Sequence, residues 1–350
     1  MPASFEAEVS EMSVFVPELE TSPPPSTTGG RRSSPWTWRW GDRLVLLCAW
    51  TAGLGLCLIA AAIVIYMGYR GIEYLRPSLL FTRPAISTTQ SQTGGILDPL
   101  VGTLLLTAIG IGLAFPLAVA SAIWIAEYGR PSWLARAVES SIEIVAGTPD
   151  IVLALFGLAI FQLGVFAPLS FRAESGGLGG SGGVYGRSFI AAGAMMSLIA
   201  LPPLFVATRD GLQAVPAHMR EAAFALGKTR IATIRRVLLP SVRPNIATGL
   251  TLGVSRIIGD TAIVLLVLGE TLRIDTQGSV PGLNVLRGTG STLTSYIYDN
   301  SPAGEGAAPQ KAYAAAFVLL VFVLGLNLLV DRIGRSQSRS TGIVGPTQIG

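Results

Sequence analysis

The apolar residues of this chain gather into long runs and do not alternate regularly with polar positions. Six such runs stand out along the 350 residues. They cover residues 44–69, 100–126, 143–167, 189–208, 246–269 and 312–332. Because a helix needs about 20 apolar residues to cross the hydrocarbon core of a bilayer, each run predicts a transmembrane helix. We therefore expect an all-α integral membrane protein with six transmembrane helices.

The segments between these runs divide the chain further. Residues 1–43 are rich in Pro, Ser, Thr and Glu, which predicts a disordered tail. The tail ends in Trp36, Trp38 and Trp40, which predict an anchor at the membrane interface. The other predicted regions are a first span with its outer loop (44–99), a transmembrane domain (100–333) that contains a polar hairpin (215–240), and a second tail (334–350).

The distribution of positive charge predicts the orientation in the membrane. The chain has 25 Lys and Arg residues against 21 Asp and Glu, and only 13% of its residues are charged, where soluble domains have about 25%. If the N-terminus is cytoplasmic, 16 of the 25 basic residues fall on the cytoplasmic side. This bias follows the positive-inside rule and places both termini in the cytoplasm of a multi-pass protein of the cell membrane. It also explains the net charge of +4 without nucleic acid as a partner.

Few residues are suited to metal binding or covalent catalysis. His218 is the single histidine, and the two cysteines, Cys48 and Cys57, both lie in the first predicted span. Zinc sites and Ser-His-Asp triads therefore lack the residues they need. A membrane-embedded enzyme would have to rely on carboxylates such as Asp150 and Asp260. We predict no metal, no cofactor and no catalytic residue in this chain.

The polar hairpin contains the stretch REAAFALGKTRIATIRRVLLP, which runs from Arg220 to Pro240. Its Gly227-Lys228-Thr229 triplet resembles the end of a P-loop. A P-loop needs a second glycine five positions earlier, so that backbone N–H groups can surround the phosphates, and that position is Ala222. We therefore predict that the hairpin binds no nucleotide.

Local signals predict two short helices in the hairpin. Pro216 suits the first turn of a helix, and Met219–Leu226 consists of good helix formers. Gly227 is placed to end this helix, and a second helical stretch is expected from Thr229 to Leu239, before Pro240. Basic residues of the segment are expected to hold it against anionic headgroups. They are Arg230, Arg235, Arg236 and Arg243.

The spacing of certain residues in this hairpin resembles the EAA signature of ABC importer permeases. The matching residues are Glu221, Ala222, Ala223, Gly227, Leu239 and Pro240. The resemblance implies a type I ABC importer permease fold, in which this hairpin is the coupling helix that docks onto a separate ATPase subunit. ATP and Mg would then be bound by the ATPase. Glu221 would offer a carboxylate at the joint, and the small Ala222 and Ala223 would permit close approach.

Further stretches resemble the PstA-type permeases of phosphate ABC importers, over roughly residues 93–335. They are Thr93–Thr107, Pro116–Tyr128, Val145–Phe161, Arg256–Leu266, Leu293–Pro302 and Gly325–Leu329. The resemblance implies a non-catalytic subunit that translocates inorganic phosphate. It also implies three kinds of partner besides lipid: ATPase subunits, a second, PstC-like permease and an extracytoplasmic phosphate-binding protein.

This chain departs from the family pattern at three positions. Asp150 stands where the family usually has Ser, and Asp260 and Ile263 stand where it usually has Glu and Pro. An added carboxylate on an anion pathway requires that Asp150 faces away from the pathway or that a basic group neutralises it.

The charges of the fifth predicted span suggest a pathway for an anion. Arg256 and Asp260 are four residues apart, which places them on one face of a continuous helix. They form either a packing ion pair or a site where Arg256 binds an oxyanion transiently while Asp260 holds the guanidinium. We therefore take Arg256, Asp260 and Thr261 as candidate pathway residues. Gly249 and Gly253 of the same span permit close helix contact, within the chain or with a second permease.

Three alternatives stay open at this point. The chain could serve another tetrahedral oxyanion, such as sulfate or molybdate, or occupy the PstC position. It could also be an ion-driven transporter that needs no ATPase, although the EAA spacing argues against this. Third, it could be a membrane enzyme that uses Asp150 and Asp260.

Overall fold

The computed structural model describes most of the chain between residues 40 and 336. The described ranges are 40–72, 74–84, 94–129, 132–171, 185–269, 271, 273–274, 283–302, 304 and 308–336. Most of both predicted tails, including Trp36 and Trp38, lies outside the described residues.

The described residues form helices almost throughout, as expected for an all-α protein. An isolated bridge between Pro84 and Gly94 is the one strand-like pairing among them. The helices are α1 (Trp40–Gly71), α2 (Pro77–Phe81), α3 (Leu97–Glu127), α4 (Trp133–Gly147), α5 (Asp150–Phe161), α6 (Phe189–Ala214), α7 (Ala217–Ala225), α8 (Arg230–Thr233), α9 (Leu239–Ser241), α10 (Arg243–Gly259), α11 (Leu283–Arg287), α12 (Leu293–Asn300) and α13 (Pro309–Ser336).

Four of the described helices are long and apolar enough to cross a membrane: α1, α3, α6 and α13. The bent pair α4 and α5 makes a fifth if it is counted as one span. These helices correspond to the first, second, fourth and sixth predicted runs, and the bent pair corresponds to the third. The predicted fifth run, 246–269, forms α10 and, after a break, a wide π-helical turn at Val264–Leu268.

Helix α1 is divided between two compact units. Residues up to Ala62 belong to the first unit, in which the described part is a single apolar helix whose large side chains are exposed, among them Leu47 and Trp50. Residues from Ile63 onward belong to the second unit. There the end of α1 packs closely on α13. A Cβ added to Gly71 would lie only 2.6 Å from the Ala314 Cα, so only glycine fits at this contact.

The centre of the second unit is a tight packing of α3, α6 and α10. Leu106, Met196 and Ile257, one from each helix, are fully buried in a common apolar cluster. Gly249 of α10 lies against α6, and a Cβ at this position would meet Ala207 Cβ at 2.9 Å. The small residues predicted to permit close helix contact therefore serve packing within the chain at this position. A polar contact adds to this core, since Asn327 of α13 donates from Nδ2 to Ser255 Oγ of α10 at 2.9 Å.

Prolines interrupt these helices at one place only among the described spans. Helix α3 continues through Pro116, and α6 continues through Pro202 and Pro203. At Thr148 and Pro149, in contrast, the chain bends by 107° between α4 and α5. Pro149 favours an extended conformation for the residue before it, and Thr148 is indeed extended, which ends α4. The apolar run over 143–167 is therefore interrupted at Pro149 and does not form one continuous helix.

Helices α3 and α6 run in the same direction and meet the predicted hairpin at their C-terminal ends. A second apolar cluster joins the two helices to this segment, with Ala122 from α3, Leu212 from α6, and Ile234 and Leu238 from the hairpin. At the opposite end, the start of α3 meets α12, where the Leu293 N–H donates to Thr103 Oγ1 at 2.9 Å. The hairpin is therefore attached directly to two long helices.

Candidate functional site

The first helix of the hairpin is α7, which begins at Ala217, so that Pro216 is its N-cap and not, as predicted, part of its first turn. It ends where Gly227 adopts a φ of +72°, a left-handed conformation that costs glycine little and other residues more. The Gly227 N–H donates to the Phe224 carbonyl and the Lys228 N–H to the Ala223 carbonyl. These bonds satisfy carbonyls that the end of a helix would otherwise leave without partners.

The second half of the hairpin begins at Thr229, whose hydroxyl accepts a hydrogen bond from the Ala232 N–H and caps α8. The chain then widens into a π-helical turn at Ile234–Leu238 and continues through α9 to Ser241. We expected this helix to end before Pro240, but Pro240 lies inside helical structure. The wider turn relieves the clash that a proline ring makes with the carbonyl of the preceding turn.

The six predicted coupling residues do not share one surface. Glu221, Ala222 and Gly227 are exposed, Leu239 and Pro240 are half-buried, and Ala223 is buried. Ala223 therefore lies on the buried side of α7, while Glu221 and Ala222 face outward. Apolar side chains are exposed beside them: Leu226 at 79%, Ile231 at 72% and Phe224 at 44%.

One arginine of the hairpin joins three helices, and the sequence analysis did not single it out. The guanidinium of Arg220 in α7 donates from Nε to Glu127 Oε1, at the end of α3, at 3.0 Å. Its two Nη atoms donate to the carbonyls of Leu212 and Val215, at the end of α6, both at 2.7 Å. The Glu127 side chain is only 10% exposed. We call this arrangement of Arg220, Glu127 and the two carbonyls the helix-end clamp.

The physical basis of the helix-end clamp is the polarity of helix ends. The last carbonyls of a helix lack partners within the helix and carry partial negative charge, so a cation there is stabilising. The three donors of Arg220 fit two such carbonyls and one carboxylate at the same time. No spacing rule could have predicted the pair, because Glu127 and Arg220 are 93 residues apart.

The neighbouring Arg230 is also turned toward α3. Its guanidinium carbon lies 5.6 Å from the centre of the Tyr128 ring, a distance typical of a cation–π contact. The predicted contact of Arg230 with lipid headgroups stays a prediction.

The predicted contact between Arg256 and Asp260 was wrong. Helix α10 ends at Gly259, and Asp260 adopts an extended conformation, so the two residues do not share a helix face. Arg256 instead donates from Nη2 to Asp150 Oδ1 at 3.1 Å. Within the described part of the chain, this is the one hydrogen bond of the Arg256 guanidinium. The sequence left two possibilities for the added carboxylate of Asp150: it faces away from the pathway, or a basic group neutralises it. The contact with Arg256 supports the second possibility.

Asp260 takes part in a different contact. Its Oδ2 accepts a hydrogen bond from the Ile263 N–H at 2.8 Å, the position of a helix N-cap. Asp260 is buried at 8% exposure, and its carbonyl accepts from the Thr294 hydroxyl at 3.2 Å. The Asp260 carboxylate therefore caps the start of the helical segment that leads into the wide turn, after the break in the predicted fifth span.

Two of the three candidate pathway residues line cavities beside α10, and Ser255 borders both cavities. Arg256 lines one of about 640 Å³ together with Val145 and Ala146 of α4 and Pro202 and Pro203 of α6. Thr261 lines the other, also of about 640 Å³. Its wall is largely apolar, with hydroxyl groups from Ser255, Thr294, Tyr298 and Ser301. Within the described ranges, no group of three or more His, Cys, Asp and Glu residues is placed to hold a metal ion.

Comparison with known proteins decides the family. Residues 114–342 match the family described as binding-protein-dependent transport system inner membrane component. The chain belongs to this family. It is similar to phosphate transport system permease protein PstA 1 of Mycobacterium tuberculosis, with 31% identity over 69% of this chain and 70% of the relative. A probable ABC transporter permease protein of Bacillus subtilis, YqgH, is 30% identical over 80% of this chain and 88% of its own length.

This chain is also similar to PstC proteins. The phosphate transport system permease protein PstC of Mesorhizobium japonicum is 28% identical over 68% of this chain and 74% of its own length. Among solved structures, a chain of a bacterial alginate ABC transporter, crystallised with an alginate-bound periplasmic protein, superimposes with a TM-score of 0.56. That match covers 87% of this chain and 96% of the other at 17% identity, so it supports the fold alone. The chain is thus a multi-pass membrane permease subunit with an ABC importer permease fold.

Proposed function

We propose that this chain is the transmembrane permease subunit of an ATP-driven importer that carries inorganic phosphate delivered by an extracytoplasmic binding protein. The proposed assembly contains ATPase subunits, which bind ATP and Mg, and a second, PstC-like permease. In this proposal the chain has six spans in the inner membrane, has both termini in the cytoplasm and catalyses no covalent chemistry. The names of the PstA and PstC relatives support phosphate as the solute.

The observation that carries the proposal is the hairpin and its attachment. Helix α7 presents Glu221 and Ala222 outward, with exposed apolar side chains beside them. A charged group surrounded by exposed apolar side chains is typical of a surface that a protein partner covers. The buried side of the same helix is fixed to α3 and α6 by the helix-end clamp. A force applied to α7 by an ATPase would therefore reach two long helices without passing through a flexible segment.

For the solute, Arg256 supplies the chemistry that an oxyanion needs. A guanidinium recognises a tetrahedral oxyanion through parallel N–H donors, and Arg256 lines a cavity of about 640 Å³. Thr261 and the capping carboxylate of Asp260 lie just after α10, at the break between this helix and the wide turn that follows it. We propose that Arg256 contacts the passing anion, that Asp260 holds the break in place and that Thr261 lines the route beyond it.

The test is ATP-dependent uptake of labelled phosphate by the complex reconstituted in liposomes. Excess arsenate should block uptake, since it closely resembles phosphate, whereas sulfate and molybdate should have little effect. Uptake of sulfate or molybdate in place of phosphate would leave the permease assignment intact and overturn the proposed solute.

A matched pair of variants tests the role of the hairpin. Glu221→Lys reverses an exposed charge at the proposed docking surface and should abolish uptake while the transmembrane domain stays folded. Arg236→Gln changes an exposed charge on the same hairpin outside the predicted coupling residues and should leave uptake nearly unchanged, because Arg235 and Arg243 keep their predicted headgroup contacts. ATP-independent uptake that is unchanged in Glu221→Lys would contradict the proposal and favour an ion-driven transporter.

A further inference from the structure

The pairing of Arg256 with Asp150 lies where two helices are interrupted. Asp150 is the first residue of α5, directly after the 107° bend, and Arg256 is in the last turn of α10. A negative charge is favoured at a helix N-terminus and a positive charge at a C-terminus. Both charges are therefore stabilised by their own helices as well as by each other.

The contact itself is weak for an arginine–carboxylate pair. A guanidinium has five N–H donors, and a carboxylate can accept two of them in parallel. In this pair a single hydrogen bond joins Arg256 Nη2 to Asp150 Oδ1 at 3.1 Å. The side chains are 46% and 33% exposed. Most of the donor capacity of Arg256 therefore remains available to another anion.

The cavity beside α10 gives such an anion access to the guanidinium. Among the described residues that line it, Arg256 is the one that carries a charge. Its volume of about 640 Å³ is many times the 30 Å³ or so of a water molecule, so a small hydrated oxyanion has room. An anion that bound two parallel N–H groups of Arg256, with Nη2 among them, would compete with the Asp150 carboxylate for that nitrogen.

We propose that Asp150 is a built-in competitor for the oxyanion site of Arg256. In this proposal, which rests on the proposed function, the carboxylate holds the guanidinium when no solute is present. An oxyanion displaces it by making two parallel hydrogen bonds where Asp150 makes one. The carboxylate then returns to Arg256 and promotes release. Asp150 thus sets the affinity of the site and favours anions that can bind the guanidinium bidentately.

Uptake kinetics test the competition. Asp150→Asn removes the charge with little change in shape, so the KM for phosphate should fall about five-fold, the modest effect expected of an exposed ion pair. The maximal rate should fall as well, because release becomes slower. Asp150→Glu keeps the charge and should retain most of the wild-type behaviour. A KM that is unchanged or raised in Asp150→Asn would overturn the proposal, since a purely structural role predicts a slower rate without tighter binding.

A labelling experiment measures the same competition without transport. Phenylglyoxal modifies exposed arginines, and mass spectrometry of the assembled complex reports the adduct at Arg256. Without phosphate, Arg256 should be labelled faster in Asp150→Asn than in the wild type. The phosphate concentration that halves labelling should be about five-fold lower in the variant. Equal half-protecting concentrations in the two proteins would overturn the proposal.

The two experiments separate this inference from the proposed function. If the wild-type complex takes up no phosphate, the function fails, while the labelling still decides whether Asp150 competes with an anion at Arg256. If Asp150→Asn does not assemble, Asp150→Ser replaces it, because Ser is the residue that the resemblance to the phosphate permeases implies at this position. The KM for phosphate and the half-protecting phosphate concentration should fall by the same factor in Asp150→Ser. Unchanged values in this variant would also contradict the proposal.

Discussion

Two arginine–carboxylate pairs in this molecule use the same chemistry in opposite ways. In the helix-end clamp, Arg220 uses three donors, at 3.0, 2.7 and 2.7 Å, on one carboxylate and two carbonyls. Arg256 uses one donor at 3.1 Å on one carboxylate. The first pair is largely buried, with the arginine 23% and the glutamate 10% exposed, whereas the second is 46% and 33% exposed.

The difference indicates what each pair can do. A guanidinium with three donors engaged in a largely buried place is costly to displace, because every group it leaves loses a partner. A guanidinium with one engaged donor at an exposed place exchanges partners at little cost. We interpret the Arg220 pair as a fixed joint between the hairpin and the transmembrane helices, and the Arg256 pair as an exchangeable site.

The largest expected effect comes from breaking the fixed joint. Arg220→Gln leaves the Glu127 carboxylate and two helix-end carbonyls without their partner, so the free energy of unfolding should fall by about 3 kcal/mol. Thermal unfolding of the purified complex measures the loss, and phosphate uptake should be lost with it. Arg236→Gln, an exposed change on the same hairpin, should leave the unfolding midpoint in place. An equal midpoint for Arg220→Gln and the wild type would show that the clamp does not fix the hairpin.

The second effect separates function from stability at the exchangeable site. Arg256→Gln should reduce phosphate uptake at least about ten-fold, because a charge-assisted contact to the anion is lost. The free energy of unfolding should change by less than about 1 kcal/mol, as is typical of exposed ion pairs. Uptake and thermal unfolding of one preparation check both statements. Normal uptake by a correctly assembled Arg256→Gln complex would remove Arg256 from the pathway.

A third, smaller effect isolates the charge within the clamp. Glu127→Gln keeps the shape of the side chain and an oxygen that can accept from Arg220, so it should lower the free energy of unfolding by only about 1 kcal/mol. The two carbonyl contacts of Arg220 remain in this variant. Comparison with Arg220→Gln in the same unfolding assay shows how much of the clamp depends on the carbonyls. A loss as large as that of Arg220→Gln would mean that the carboxylate alone stabilises the joint.

A local effect of similar size concerns the turn that follows α7. Gly227 has a φ of +72° and open space around it, so Gly227→Ala should cost about 1 kcal/mol of backbone strain without any clash. Gly112→Ala in α3 also places its methyl group in open space, but in a helix, where alanine is favoured. Unfolding midpoints should therefore shift in opposite directions. A stabilising Gly227→Ala would contradict the left-handed turn.

Local signals were sufficient to predict the hairpin but not its attachment. Pro216 and Gly227 limit α7 through their own backbone preferences, which a sequence displays directly. The partners of Arg220 and Arg256 lie 93 and 106 residues away, and no periodicity connects them. The predicted contact of Arg256 with Asp260 was wrong because the prediction assumed a continuous helix, whereas α10 ends at Gly259.

Five of the six apolar runs coincide with helices, or with a bent pair of helices, that are long and apolar enough to cross a membrane, but the runs did not show where the helices are interrupted. A run of apolar residues reports burial in lipid or protein and is insensitive to a change of direction within it. Pro116 and Pro149 look alike in the sequence, yet only Pro149 accompanies a bend. Which proline bends its helix depends on the packing around it, which composition does not contain.

The comparison between the two arginines is tested most directly by phenylglyoxal labelling of the wild-type complex, with adducts at Arg220 and Arg256 quantified in the same sample. We predict that Arg256 is labelled rapidly and is protected by added phosphate. Arg220 should be labelled slowly, at a rate that phosphate does not change. Equal labelling of the two arginines, or protection of Arg220 and not of Arg256, would contradict the distinction between a fixed joint and an exchangeable site.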